Sequence, residues 1–128
     1  GSTSTTSTSF VTSGLAASIS PKFSTSKILI TVTIANGFIA ASGTFAYYTV
    51  YRGATNLASG SGANQAFGSL YSGGGTLDGN VVFQFTDSPA TTSSTTYTVY
   101  YNQSGGSTAY LNAFGGATSY IILQEIAA

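Results

Sequence analysis

No cysteine, histidine, tryptophan or methionine occurs in these 128 residues, and only six side chains carry charge. Without cysteine there is no disulfide, thiolate nucleophile or soft metal ligand, and cysteine spacing says nothing about redox compartment. Without histidine there is no imidazole base and no ordinary zinc site. The charged residues are Lys22, Lys27, Arg52, Asp78, Asp87 and Glu125. Three cations are too few to displace the counterions of a phosphate backbone, so nucleic acid is not an expected partner. No apolar run approaches the roughly 20 residues of a helical membrane span, and residues 1–15 lack the basic start and apolar middle of a signal peptide. Short strands broken by small residues argue against a membrane barrel as well. Membrane insertion is therefore not expected.

What remains is a vocabulary of Ser, Thr, Gly, Asn and aromatics, including nine tyrosines and eight phenylalanines. It is written with a period of two. Lys27 to Asn36 places Ile28, Ile30, Val32 and Ile34 on one side, opposite Leu29, Thr31 and Thr33. Thr44 to Arg52 carries aromatics on both sides, with Phe45, Tyr47 and Tyr51 opposite Tyr48. Val81 to Thr86, Thr96 to Asn102 and Ser119 to Ile126 repeat the alternation, and Leu15 to Ser20, Ala66 to Tyr71 and Ser107 to Asn112 give shorter strands. Asn36-Gly37 and Asp78-Gly79-Asn80 suit turns. Thr96–Asn102 and Ser107–Asn112 are expected to pair as a hairpin, and Lys27 to protect an exposed strand end. The Ser72-Gly73-Gly74-Gly75 run has neither the ending nor the following helix of a phosphate loop.

No stretch has helical spacing. The expected fold is all-β, a two-layer antiparallel β-sandwich of seven or eight strands in jelly-roll order. Residues 1–9 are nearly pure Ser and Thr and are expected to form a flexible arm or linker end, with residues 10–128 as a single domain. With 42% hydrophobic residues and zero net charge, the chain has little to resist self-association.

Catalysis finds little support. A serine nucleophile has no imidazole beside it, and the three carboxylates have plainer uses in turns and strand contacts. Asp78, Asn80 and Asp87 offer hard oxygens for calcium but no regular ligand spacing, so neither a metal nor another cofactor is expected. Tyr71 and Tyr110, near loops, are candidate ligand platforms with apolar faces and polar tips. Asn102 and Gln103 are candidate neutral hydrogen-bonding partners, as are Asn64 and Gln65.

Three pieces of sequence carry a family resemblance: Arg52-Gly53-Ala54-Thr55-Asn56-Leu57; Asp87-Ser88-Pro89-Ala90 followed by Thr96-Tyr97-Thr98-Val99; and Tyr110-Leu111-Asn112 followed by Ile121-Ile122-Leu123-Gln124-Glu125-Ile126. Together they resemble C-terminal domains of bacteriophage structural proteins, especially tail-fibre-like proteins. The chain departs from that pattern at Tyr100-Tyr101, where such proteins often carry a charge. The resemblance implies a noncatalytic homotrimeric domain exposed on the virion at a fibre tip, joined to other virion proteins upstream and binding a bacterial cell-surface glycan or protein. It implies no particular receptor residue. A capsid decoration or head-fibre domain and a monomeric bacterial polysaccharide-binding module are the alternatives.

Overall fold

The computed structural model describes residues 2–58, 65–115 and 117–128. Among them the chain forms β1 (Thr3–Thr5), β2 (Val11–Ile19), β3 (Lys27–Ile39), β4 (Thr44–Arg52), β5 (Thr55–Asn56), β6 (Gly68–Ser72), β7 (Leu77–Asp87), β8 (Thr95–Gln103), β9 (Ala109–Leu111) and β10 (Tyr120–Ile126). All pairings are antiparallel, in two sheets. In the first, β3 is central: β7 lies along one edge, β10 and then β9 follow the other, and β1 adds beyond β9. In the second, β8 separates β2 from β4, and the far edge of β4 takes β5 and β6. The pairs β4–β6, β3–β7, β2–β8 and β1–β9 are nested, like one long ribbon folded across both layers.

The alternating strands meet as their patterns require. Ile28, Ile30, Val32 and Ile34 of β3 are fully buried against Tyr48 and Val50 of β4 and Tyr97, Val99 and Tyr101 of β8. Each aliphatic side chain so buried contributes about 1.5–3 kcal/mol by leaving water. The Tyr48 hydroxyl crosses the interior and donates to the Tyr110 carbonyl at 2.7 Å, which lets a large polar ring sit in the core without an unsatisfied group. One side of the sandwich is closed by Phe67, stacked on Phe83 at 5.4 Å and on Phe85 at 3.9 Å. Gly68 lets β6 approach β7 there, since a Cβ at that position would lie 2.5 Å from Val81.

Several expectations are corrected. The described residues hold ten strands rather than seven or eight, because β9 and β10 interrupt one path along β3 and β5 is a two-residue piece. The Ser/Thr tract is not wholly a loose arm: Thr3–Thr5 pairs with Ala109–Leu111, held by backbone hydrogen bonding that needs no apolar pattern. The hairpin expected of Thr96–Asn102 and Ser107–Asn112 does not form, because β8 and β9 belong to different sheets. Asn36 has the positive φ expected, 47°, but uses it where the β3–β7 register shifts between Ile34 and Gly37, so the strand continues to Ile39. Asp78-Gly79-Asn80 likewise lies within β7. Lys27 begins the central strand of its sheet rather than guarding an edge.

Candidate functional site

Pairing turns the outward half of each strand into a surface, and the two outer surfaces differ in chemistry. On the second sheet, Phe45, Tyr47, Thr49 and Tyr51 lie on the side of β4 away from the core, where Tyr47 and Thr49 are nevertheless buried and Phe45 and Tyr51 are partly exposed. Their cross-strand neighbours are Tyr71 opposite Phe45, Ser69 and Asn102 opposite Tyr47, Tyr100 opposite Thr49, and Thr98 opposite Tyr51. The rings gather into two groups. Phe45 lies 4.5 Å from Tyr71 and stacks on Tyr47 at 5.2 Å with planes 9° apart. Tyr51 stacks on Tyr100 at 4.0 Å and 14°, with Phe10 edge-on to Tyr51 at 6.3 Å. Between the groups, the Thr49 hydroxyl donates to Asn56 Oδ1 at 2.6 Å, and Asn56 Nδ2 donates to the Gln65 carbonyl at 2.8 Å. A recess of about 190 Å³ lined by Tyr47, Ala66, Phe67, Gly68 and Ser69 adjoins the first ring group.

The first sheet presents a different exterior. Its cross-strand rows read Tyr120–Thr33–Val82, then Ile122–Thr31–Gln84, then Gln124–Leu29–Thr86. Val82 is 63% exposed and Ile122 is 52% exposed, and Tyr120 and Ile126 are exposed too. Farther along, Phe38 meets Tyr110 at 5.3 Å and Phe114 at 5.5 Å, both edge-on. Phe114 is 72% exposed and has a φ of 69°. It projects from the break between β9 and β10, whose base is tied where Ser119 N–H and Oγ–H both donate to Asn112 Oδ1, at 2.8 and 2.7 Å.

The four residues singled out from sequence do not converge. Tyr71 is half exposed and forms part of the aromatic exterior of the second sheet. Tyr110 is on the outer face of the first sheet, across the sandwich from it. Gln103 is buried: its amide donates to the Thr6 carbonyl at 2.7 Å and its oxygen accepts from Gly105 and Ser107. Asn102, also buried, donates to the Thr8 carbonyl at 3.1 Å. Both amides fasten the N-terminal tract to β8 instead of facing a ligand. Gln65 is committed at its carbonyl to Asn56, and Asn64 lies outside the described residues. Sequence spacing marks Phe45, Tyr47, Tyr51 and Tyr100 as strand residues and no more. Their period-two spacing was visible, but their shared outer face depended on the β4–β8 register.

Arg52, Asp87 and Glu125 are engaged away from both outer ring groups. Arg52 Nη1 pairs with Asp87 Oδ2, and the Tyr97 hydroxyl donates to the same oxygen at 2.8 Å. Burial pushes the Tyr97 phenol up, and the Asp87 hydrogen bond and charge push it further in the same direction. The hydrogen bond to Asp87 likewise raises Arg52. Glu125 accepts from the Lys22 backbone amide at 2.7 Å. Asp78 and Asp87 stand near opposite ends of β7, about 30 Å apart along a strand rising about 3.4 Å per residue, so they cannot flank one scissile bond. Among the described residues no three His, Cys, Asp or Glu side chains gather as metal ligands. No family model matches this chain, and no curated protein matches it.

Proposed function

We propose that this domain is a noncatalytic attachment module, the homotrimeric tip of a bacteriophage tail-fibre-like protein, which binds the host cell surface through one exterior and its own copies through the other. The observation that carries the reading is the division of labour between the two outer faces. The first sheet exposes Val82, Tyr120, Ile122 and Ile126 around uncharged Thr31 and Thr33. Apolar surface of this kind gains free energy when a copy covers it, and zero net charge removes a long-range barrier to approach. The second sheet instead mixes partly exposed rings, with Tyr71 the most exposed, and Ser and Thr hydroxyls, a composition suited to recognition.

The nested pairing of β1–β9, β2–β8, β3–β7 and β4–β6 supports a jelly-roll order for the sandwich, with β5 at the ribbon's tip and β9 and β10 counted as one interrupted strand. Three copies held together would present three equivalent binding faces, so that weak individual contacts add as avidity.

Light scattering across a concentration series is expected to give three times the 12.9 kDa chain mass. Ile122→Glu should shift that mass to the monomer while far-UV circular dichroism stays unchanged. A wild-type chain that remains monomeric at tens of micromolar would overturn the trimer. Normal adsorption by particles lacking the domain would overturn attachment, and fragile heads in those particles would favour the capsid role.

A further inference from the structure

We propose that the free edge of β7 is a self-recognition site, at which two copies of the domain pair their β7 strands antiparallel about a two-fold axis at Val82 and join their first sheets into one. This contact is separate from the outer-face contact of the proposed trimer and needs nothing from it.

The other free edges are blunted, and β7 is not. β1, β5 and β6 have only three, two and five residues. β2 is broken by the register shift between Thr12 and Ala16. β10 carries Glu125, whose carboxylate accepts from the Lys22 amide. Short length, bulges and charge each keep an edge from pairing with another chain. β7 runs for 11 residues without lysine or proline, and its charges, Asp78 and Asp87, stand at its ends. The extra residue in its pairing with β3 belongs to β3, where Ala35 and Asn36 stand against Asn80 alone, so β7 itself stays regular. Among the described residues, β3 is the sole strand hydrogen-bonded to it. Alternate amides and carbonyls of β7 therefore face away from the sheet without a backbone partner.

The strand is its own complement. Centred on Val82, a two-fold pair overlaps its whole length and sets Asn80 opposite Gln84 and Asp78 opposite Thr86 on the outer face, with Val81 opposite Phe83 on the inner one. The side-chain amides are already oriented for this. Asn80 Oδ1 accepts from the Asn36 amide at 3.0 Å, which leaves Nδ2 to donate. Gln84 Nε2 donates to Thr31 Oγ1 at 2.9 Å, which leaves Oε1 to accept. Donor thus meets acceptor on both sides of the axis, and the Thr86 hydroxyl can donate to Asp78 at both ends. Val81 and Phe83 make the β-branched and aromatic combination that stabilises adjacent strands. Moving the axis one residue either way sets Val82 against Gln84 or Asn80 and loses the amide pair.

The test is the solution mass of the full chain, followed by light scattering into the hundreds of micromolar. The mass is expected to double from the unit that the outer face sets, to six chains for a trimer and to two for the Ile122→Glu monomer. Thr86→Lys places an ammonium opposite Asp78 at both ends of the pair and should tighten the doubling about two- to tenfold. Thr86→Asp should weaken it by a similar factor, and combining Thr86→Asp with Asp78→Lys should restore it. Thr86 and Asp78 are exposed, so these variants should keep the wild-type circular dichroism. Alternate amides of β7 should gain protection from hydrogen exchange in the associated form. No doubling at any concentration overturns the inference, as does a response of one sign, or none, to both charges at Thr86. Protection gained along β2 or β10 instead of β7 overturns it too. A wild-type chain that doubles from monomer to dimer and never forms a trimer overturns the trimer and leaves the β7 contact standing.

Discussion

Asp87 shows how much one side chain can depend on its neighbours. It is inward-facing, and a single oxygen takes both the Arg52 guanidinium and the Tyr97 hydroxyl. Replacing Arg52 with Met removes the cation and leaves the carboxylate with one donor. The expected loss is about 1–3 kcal/mol, at the modest end because the arginine side chain is 32% exposed. Urea unfolding at neutral pH measures it, with Arg52→Lys recovering part of the loss as a point charge without the planar fork. If Arg52→Met matches wild type, the pair is only a surface contact. Neither partner was legible as a pair from sequence. Arg52 and Asp87 are 35 positions apart and stand at the ends of separate strands, so their meeting depends on which sheet each strand joins.

Among the elements, two connections invite direct test. Gln103 is the clasp of the N-terminal tract, bonded to Thr6 on one side and to Gly105 and Ser107 on the other. Gln103→Ala should free residues 3–9 to exchange their amide hydrogens faster, at a cost of about 1 kcal/mol or slightly more to the whole fold. Exchange unchanged in that tract would show that backbone pairing with β9 suffices. Gly68 tests the opposite side. Its replacement by Ala puts a methyl within van der Waals radius of Val81 and should destabilise the domain by about 1–3 kcal/mol, read as a lower melting temperature. Strand positions such as Lys27–Asn36 and Val81–Thr86 were legible because one buried face enforces a period of two. Partners were not legible, because a Gly/Ser/Asn connection reads the same whether the next strand returns beside its neighbour or crosses to the other layer. The same ambiguity hid the separation of Tyr71 from Tyr110. Asn36 is subtler still: its side chain announces a positive φ, and a turn and a bulge use that angle equally well.

For the molecule as a whole, the buried phenols set an alkaline limit. Burial raises Tyr48, Tyr97 and Tyr101 above the ordinary value of 10.0, Tyr101 to about 12. Below pH 10 these groups hold their protons in both the folded and unfolded chains, so the stability they contribute is fully present. Above it the unfolded chain releases protons first, and stability falls by up to about 1.4 kcal/mol per pH unit for each such tyrosine as pH climbs toward the folded values. Phenolate absorbance should therefore rise in two phases, the later one coincident with loss of the circular dichroism signal. A single phase near pH 10 with the fold intact would show that water reaches these rings.

The nested ribbon also orders events during biosynthesis. β3 emerges early, yet one of its edges waits for β7 and the other for β10, so the most apolar strand of the chain spends translation with bare amides and carbonyls. Thr3 cannot meet Leu111 until β2 to β8 have all left the ribosome between them. Closure is consequently slow and late. A ribosome stalled between the codons for Asp87 and Tyr120 would hold a chain whose open β3 edge is a ready template for pairing with its neighbours on the same message, so that mispairing of this strand belongs to translation rather than to the folded domain.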